Sequence, residues 1–222
     1  MPGRFDGKVV IVTGSSSGIG KETALHFARE GAKVTVTGRS LERLQAVKKE
    51  LLGNGVLEKD FLIVPADVTS SAGQVEMTQK ARPHLAKTRG EIVNVSSIVA
   101  LGHGWQSRPY YSLAKAAVDQ YTRAAAIDLI EEGIRVNTVN PGFVKTLFHE
   151  AELGWTADQA QEFYDDIGSN KYAIPAGFIG RPEHIAKAIA FLADRNSSEF
   201  IVGQNLVVDG GTTLVLGIHA AK

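Results

Sequence analysis

Six short runs rich in Val and Ile alternate with stretches of helical periodicity, and this alternation leaves the chain very few architectures. KVVIV at 8–12, KVTVT at 33–37, FLIV at 61–64, EIVNV at 91–95, IRVNTV at 134–139 and NLVV at 205–208 read as buried strands. Amphipathic stretches at 19–30, 40–52, 74–88, 111–132 and 182–194 separate them, the last opened by Pro182 in a first-turn position. Strand followed by helix, repeated, predicts an α/β fold in three layers, a doubly wound parallel sheet with helices on both faces. The ligand site of such a sheet lies at the carboxyl ends of its strands. Only 147–180 breaks the rhythm, with Phe148, Trp155, Phe163, Tyr164 and Tyr172 and short helical character. It is expected to fold over the strand ends, either as a substrate lid or as a surface subdomain with its aromatics packed inward.

Composition narrows the function. A chain of 222 residues, 44% hydrophobic and without a linker-like tract, is expected to form one domain over 1–222. Lys+Arg and Asp+Glu are both 24, so no basic stripe is present and nucleic acid is excluded as a partner. The absence of cysteine removes disulfides, thiolate catalysis and Cys-type zinc sites. The six histidines lack metal-ligand spacing and are expected at the surface or in packing. MPGRFDGK has no apolar signal region and no segment reads as a spanning helix, so a cytoplasmic protein with no membrane partner is expected.

TGSSSGIG at 13–20 directly follows the first strand and opens the first helix. Gly14 permits a tight turn, Gly18 lets the backbone approach a pyrophosphate, and Gly20 allows close helix packing. The helix start at Gly18, Ile19 and Gly20 offers free amides to an anion, and the Ser16 and Ser17 hydroxyls are further phosphate contacts. The second strand ends at Gly38 and Arg39, with no acid before Glu42. A carboxylate there would select NAD(H), whereas Arg39 can fork onto a 2′-phosphate, so NADP(H) is expected ahead of NAD(H). A solvated loop arginine is the plain alternative.

YSLAK at 111–115 sets Tyr111 and Lys115 one helical turn apart on one face. A phenol with a pKa near ~10 is a poor acid or base at neutral pH, and a neighbouring ammonium favours its phenolate. EIVNVSS ends a strand at Ser97, where a hydroxyl can donate to a substrate carbonyl as it gains charge, with Ser96 the nearest competitor. In NPGFVKT at 140–146, Pro141 and Gly142 shape a loop that can grip a nicotinamide carboxamide through the Val144 backbone and Thr146.

TGSSSGIG, Asp67 with Val68, VSS ending at Ser97, YSLAK, NPGFVKT and VVDGG at 207–211 together resemble the short-chain dehydrogenase/reductase family over nearly the whole chain. The resemblance implies a Rossmann-type NAD(P)-binding domain and a hydride transfer between nicotinamide and a carbonyl or secondary alcohol. It implies Tyr111 as acid/base, Lys115 as its pKa-lowering partner, Ser97 as the carbonyl-polarising group, and Asp67 and Val68 beside the adenine. It also implies a homodimer or homotetramer, for which the helix at 111–132 offers Ala116, Ala117 and Ala124 to Ala126.

The sequence departs from the family between Asp67 and Glu91, 24 positions apart. The family places a helix, a strand ending in Asn-Asn-Ala-Gly and a second helix there, which takes roughly 50 residues or more. Six strands are therefore expected instead of seven. Either the serine strand moves across to pair with the first strand, or a segment is missing from the sequence. The remaining helix carries Pro83, expected to kink or shorten it. The lost unit takes the family's asparagine behind the catalytic lysine, so slow turnover is expected. A truncated, non-catalytic relative that binds nucleotide or a partner subunit is the alternative, and a nucleotide-free scaffold a third.

Overall fold

The computed structural model describes residues 3–67, 73–102 and 108–215, with the side chains of 73–76 excepted. The chain divides into two compact units, residues 1–83 and 84–222.

In the first unit, β1 (Val9–Val12), β2 (Lys33–Gly38) and β3 (Phe61–Pro65) form a parallel sheet in that order. Helices α1 (Gly18–Arg29) and α2 (Leu41–Gly53) touch each other and the sheet, so they share one face. Period-2 alternation on β2 turns Val34 and Val36 toward them, into a core with Leu25, Leu44 and Leu51. Ser40 caps α2 by accepting from the Arg43 amide. On the opposite face, the register sets Ile11 beside Thr35 and Leu62. There Val9 is 72%, Ile11 57% and Leu62 59% exposed, so the cover expected on both faces is present on one. Runs apolar on both sides signal burial on both sides, which this face does not show.

Helix α3 (Gly73–Thr88) runs from one unit into the other and continues through Pro83 without a break. The kink or shortening expected there is not an interruption. Its later residues Leu85 and Ala86 pack on a core of Ala125, Ala126, Leu129, Ile134 and Val136, which holds the last turn in place beyond the missing amide.

In the second unit, β4 (Glu91–Val95), β5 (Arg135–Pro141) and β6 (Asn205–Val208) form a second parallel sheet in chain order. Among the described residues no ladder joins β4 to β1. Helix α4 (Pro109–Leu129) opens with Pro at its first position and packs on β4 and β5. Helices α5 (Phe148–Leu153) and α6 (Ala157–Ser169) follow the β5 loop, and α7 (Pro182–Ala193) and the short α8 (Arg195–Ser198) precede β6. Every residue of β5 is buried, and its two faces divide by parity. Val136 and Thr138 meet α4, the latter through Thr122 (2.6 Å), while Arg135 and Asn137 face the other way and donate to the carbonyls of Leu192, Ser198 and Ile201.

Candidate active site

The cradle lies wholly in the first unit. Gly14 (φ +62°) and Gly18 (φ +55°) adopt the left-handed region, and a Cβ on Gly20 would stand 2.4 Å from the Gly14 carbonyl oxygen. Ser15, fully buried, ties the turn to β2: its hydroxyl donates to the Val12 carbonyl (2.8 Å) and accepts from the Thr37 amide (2.8 Å). Ser17 flanks α1 in extended conformation without capping it by its side chain, and the first intrahelical donor is Lys21, to the Ser17 carbonyl. The amides of Gly18, Ile19 and Gly20 are therefore left for a ligand. Ser16 lies against Gly38, where a Cβ would approach its Oγ to 3.0 Å. Arg39 is exposed and makes no hydrogen bond or ion pair among the described residues. Asp67 is exposed beyond β3, and Val68 lies outside the described residues. Open space at Gly14, three unspent amides and an unpaired guanidinium fit an anionic dinucleotide.

The three residues expected to serve proton transfer, Ser97, Tyr111 and Lys115, lie in the second unit. Ser97 ends the β4 segment and caps a short turn, Ile98–Leu101, by accepting from the Val99 amide (3.4 Å). Tyr111 sits in the first turn of α4, and Lys115 Nζ stands 5.7 Å from the centre of its ring. Burial pushes the Tyr111 phenol above its ordinary pKa, a hydrogen bond with the Ser97 side chain pulls it back, and Glu152 adds to the rise. Lys115 donates to the Val95 carbonyl (3.0 Å); burial lowers its pKa and Asp119 opposes that. In the ligand-free chain the phenol thus moves up, against the downward shift implied by the resemblance, because desolvation is its largest influence. Ser96, the competing serine, is spent on the Lys115 carbonyl (3.0 Å).

The β5 loop is built by close backbone approach. A Cβ on Gly142 would meet Asp209 Cβ at 2.6 Å, Val144 bridges to Gly180, and Pro141 closes the strand. Thr146 accepts from the Phe148 amide through its hydroxyl, while its backbone is held by Tyr164 Oη, which accepts from its amide (3.3 Å) and donates to its carbonyl (3.1 Å). His149 is the centre of the aromatic region: Nδ1 is 2.8 Å from Tyr164 Oη, and its ring packs with Trp155, Phe163 and Tyr164. Phe148 instead meets the Tyr111 ring (centroids 5.7 Å apart), and Arg108 donates to the Glu152 carbonyl (2.7 Å). A cavity of about 200 Å³ lined by Phe143, Val144, Ile174, Phe178 and Ile185 has neither Tyr111 nor Lys115 in its wall.

Sequence reasoning missed Asp119, Asn140, Ser15 and Glu152. Asp119 continues the four-residue spacing of Tyr111 and Lys115, a signal that was there to follow.

Two family models match: the short chain dehydrogenase model over residues 8–85, and the model described as enoyl-(acyl carrier protein) reductase over 68–213. The chain belongs to the short-chain dehydrogenase/reductase family. It is therefore an NAD(P)-dependent oxidoreductase. Among relatives of this family, the meso-2,3-butanediol dehydrogenase of Serratia marcescens is 33% identical, with 95% of this chain and 96% of that protein covered. A Caenorhabditis elegans short-chain dehydrogenase/reductase of unknown function, solved with cofactor, is 44% identical with a TM-score of 0.94, covering 99% of this chain and 100% of that one. The C. elegans glucose dehydrogenase, in its apo-form, is also 44% identical, with a TM-score of 0.82 over 96% of this chain and 100% of that one. The Serratia alignment spans 253 positions, of which 95% of 222 residues fills about 211, so about 42 lie opposite gaps in this short-chain dehydrogenase/reductase.

Proposed function

We propose that this protein is an NADP(H)-dependent oxidoreductase of the cytoplasm that interconverts a small, neutral carbonyl compound and its secondary alcohol, with Tyr111 as the proton-transfer group. The observation that carries this reading is the convergence of Ser97, Tyr111 and Lys115, with the phenol hydrogen-bonded to Ser97 and the ammonium one helical turn away.

The first unit binds the adenosine and pyrophosphate end of the cofactor through Gly14, Ser16, Ser17 and the amides of Gly18, Ile19 and Gly20, with Arg39 taking the 2′-phosphate and Asp67 the adenine side. Pro141, Gly142, Val144 and Thr146 form the carboxamide loop. When bound, the nicotinamide supplies or accepts the hydride. In reduction, Tyr111 gives its proton to the substrate oxygen and is left as phenolate until solvent returns a proton. Ser97 donates a hydrogen bond to that oxygen, and Lys115 stabilises the phenolate. Phe148 against Tyr111 gives the substrate an apolar wall, and Glu152 disfavours an anionic one.

The outer stripe of α4 supports a homo-oligomer. Tyr110, Leu113 and Ile127 are exposed on it with Ala117 and Ala124, whereas Ala125 and Ala126 of the expected small-residue set are buried in the unit's own core.

Calorimetric titration with NADPH and NADH, paired with turnover of Tyr111→Phe, tests the reading. Micromolar NADPH binding, weaker NADH binding and loss of turnover with binding retained are expected. Turnover unchanged in Tyr111→Phe would sink it. The non-catalytic alternative is favoured by the roughly 42 unfilled positions, which we assign to the strand and helix absent between Asp67 and Glu91. The two family matches meet there, over residues 68–85.

A further inference from the structure

Asp119 is a carboxylate 2% exposed, and Asn140, fully buried, is its partner. A carboxylate in such a place persists only with specific compensation. The Asn140 amide spends both hydrogens: Nδ2 donates to Asp119 Oδ2 (2.9 Å) and to the Ser97 carbonyl (3.0 Å). That carbonyl lies beyond the β4–β5 ladder, whose last pair is Val95 with Val139; it also accepts from the Ala100 amide (3.1 Å), so the Asn140 bond is the one that ties it to β5. Asn140 is on the face of β5 that turns Val136 and Thr138 to α4, which explains why it meets Asp119. Asp119 in turn follows Lys115 by one helical turn and Tyr111 by two, on the inward side of the helix. Among the described residues, the titratable groups facing Lys115 are Tyr111 and Asp119 on its own helix. The strands present the Val95 carbonyl, the hydroxyls of Ser96 and Ser97, and Asn140, none of which ionises near neutrality.

We propose that Asp119 and Asn140 are positioning residues of the proton-transfer site: Asn140 clamps the backbone of Ser97, and Asp119 orients that amide while serving as the buried counter-charge of Lys115. The proposal rests on the reading of Ser97, Tyr111 and Lys115 as the reacting groups. One amide couples the strand that carries the serine to the helix that carries the tyrosine and lysine. Neither residue touches substrate.

Two variants separate the roles. Asp119→Asn keeps an acceptor for the Asn140 amide and removes only the charge; Asn140→Ala removes the clamp. Lys115 is titrated in the cofactor-free protein by NMR of lysines labelled at Cε, its signal assigned with Lys115→Arg. Tyr111 is titrated by phenolate absorbance as the difference from Tyr111→Phe. Asp119→Asn is expected to ionise Lys115 at lower pH than wild type with circular dichroism unchanged. Asn140→Ala is expected to ionise Tyr111 at higher pH, since the Ser97 hydrogen bond lowers it, and to leave the Lys115 titration in place. With turnover, Asn140→Ala loses about 10- to 100-fold in kcat while KM for the cofactor stays within about 2-fold. An unchanged Lys115 titration in Asp119→Asn overturns the counter-charge role, and an unchanged Tyr111 titration in Asn140→Ala overturns the clamp. Both titrations need no catalysis, so a chain that binds cofactor without turning over would defeat the proposed function and still decide this proposal.

Discussion

Burial and Glu152 both oppose ionisation of Tyr111 in the ligand-free chain, and the Ser97 hydrogen bond counters them. Removing the charge of Glu152 while keeping its shape therefore moves the phenol in a known direction. Glu152→Gln is expected to ionise Tyr111 at lower pH, read as phenolate absorbance against Tyr111→Phe; a shift upward or none contradicts the electrostatic account. His149 gives a second sign. Burial holds its pKa below the ordinary 6.5, so the unfolded chain takes up its proton first as pH falls. Its contribution is present above 6.5 and is lost as pH drops toward the folded value. Melting temperatures from neutral pH down to about 5.5 are expected to fall in wild type and to fall less steeply in His149→Phe. At this scale Tyr111, Lys115 and Ser97 were legible because motif spacing fixes them along the chain. Asn140 was not, because its partner is 21 positions away and only the parity of β5 brings them together.

At the scale of elements, β5 is where the second unit is joined. Arg135, 1% exposed, donates to the carbonyls of Leu192, Ser198 and Ile201 and stands 3.3 Å from Glu91, so one side chain ties β5 to α7 and to the turn after α8. Arg135→Met keeps length and strips every donor, so the carbonyls of Leu192, Ser198 and Ile201 and the Glu91 carboxylate each lose one partner and keep another, from Ser198, Ile201, Asn137 and Arg195 respectively. A loss of about 1–3 kcal/mol in urea unfolding is expected, and no measurable loss would show that the remaining partners suffice for those groups. The strands were legible to within two residues, since Val/Ile runs bounded by Gly and polar residues leave little freedom. Short helical character was legible at 147–180 but the bounds of α5 and α6 were not, because the aromatics there pack on His149 and carry no simple period. The shortening expected at Pro83 did not follow, because Leu85 and Ala86 hold the last turn by packing.

For the molecule as a whole, the short spacing between Asp67 and Glu91 was visible in the sequence, and one face of the first sheet carries exposed Val9, Ile11 and Leu62. If that face is open in solution, polar substitutions on it remove little buried area. Ile11→Thr and Leu62→Thr are expected to change unfolding free energy by less than about 1 kcal/mol each and to raise solubility, whereas Val36→Thr on the covered face costs about 1–3 kcal/mol. Equal large losses at Ile11 and Val36 would mean that the face is covered after all.

Within each unit, strand order in space equals strand order in the chain. Each β-strand thus finds its neighbour in the next one synthesised, and neither sheet waits for a distant segment to return to its centre. Loop closures of modest length join the first sheet, whereas β6 reaches β5 only across the 63 residues between Pro141 and Asn205. The first three strands and their two helices precede residue 84 in the chain, so during synthesis they have left the ribosome, free to collapse, before the segment bearing Tyr111 has been made.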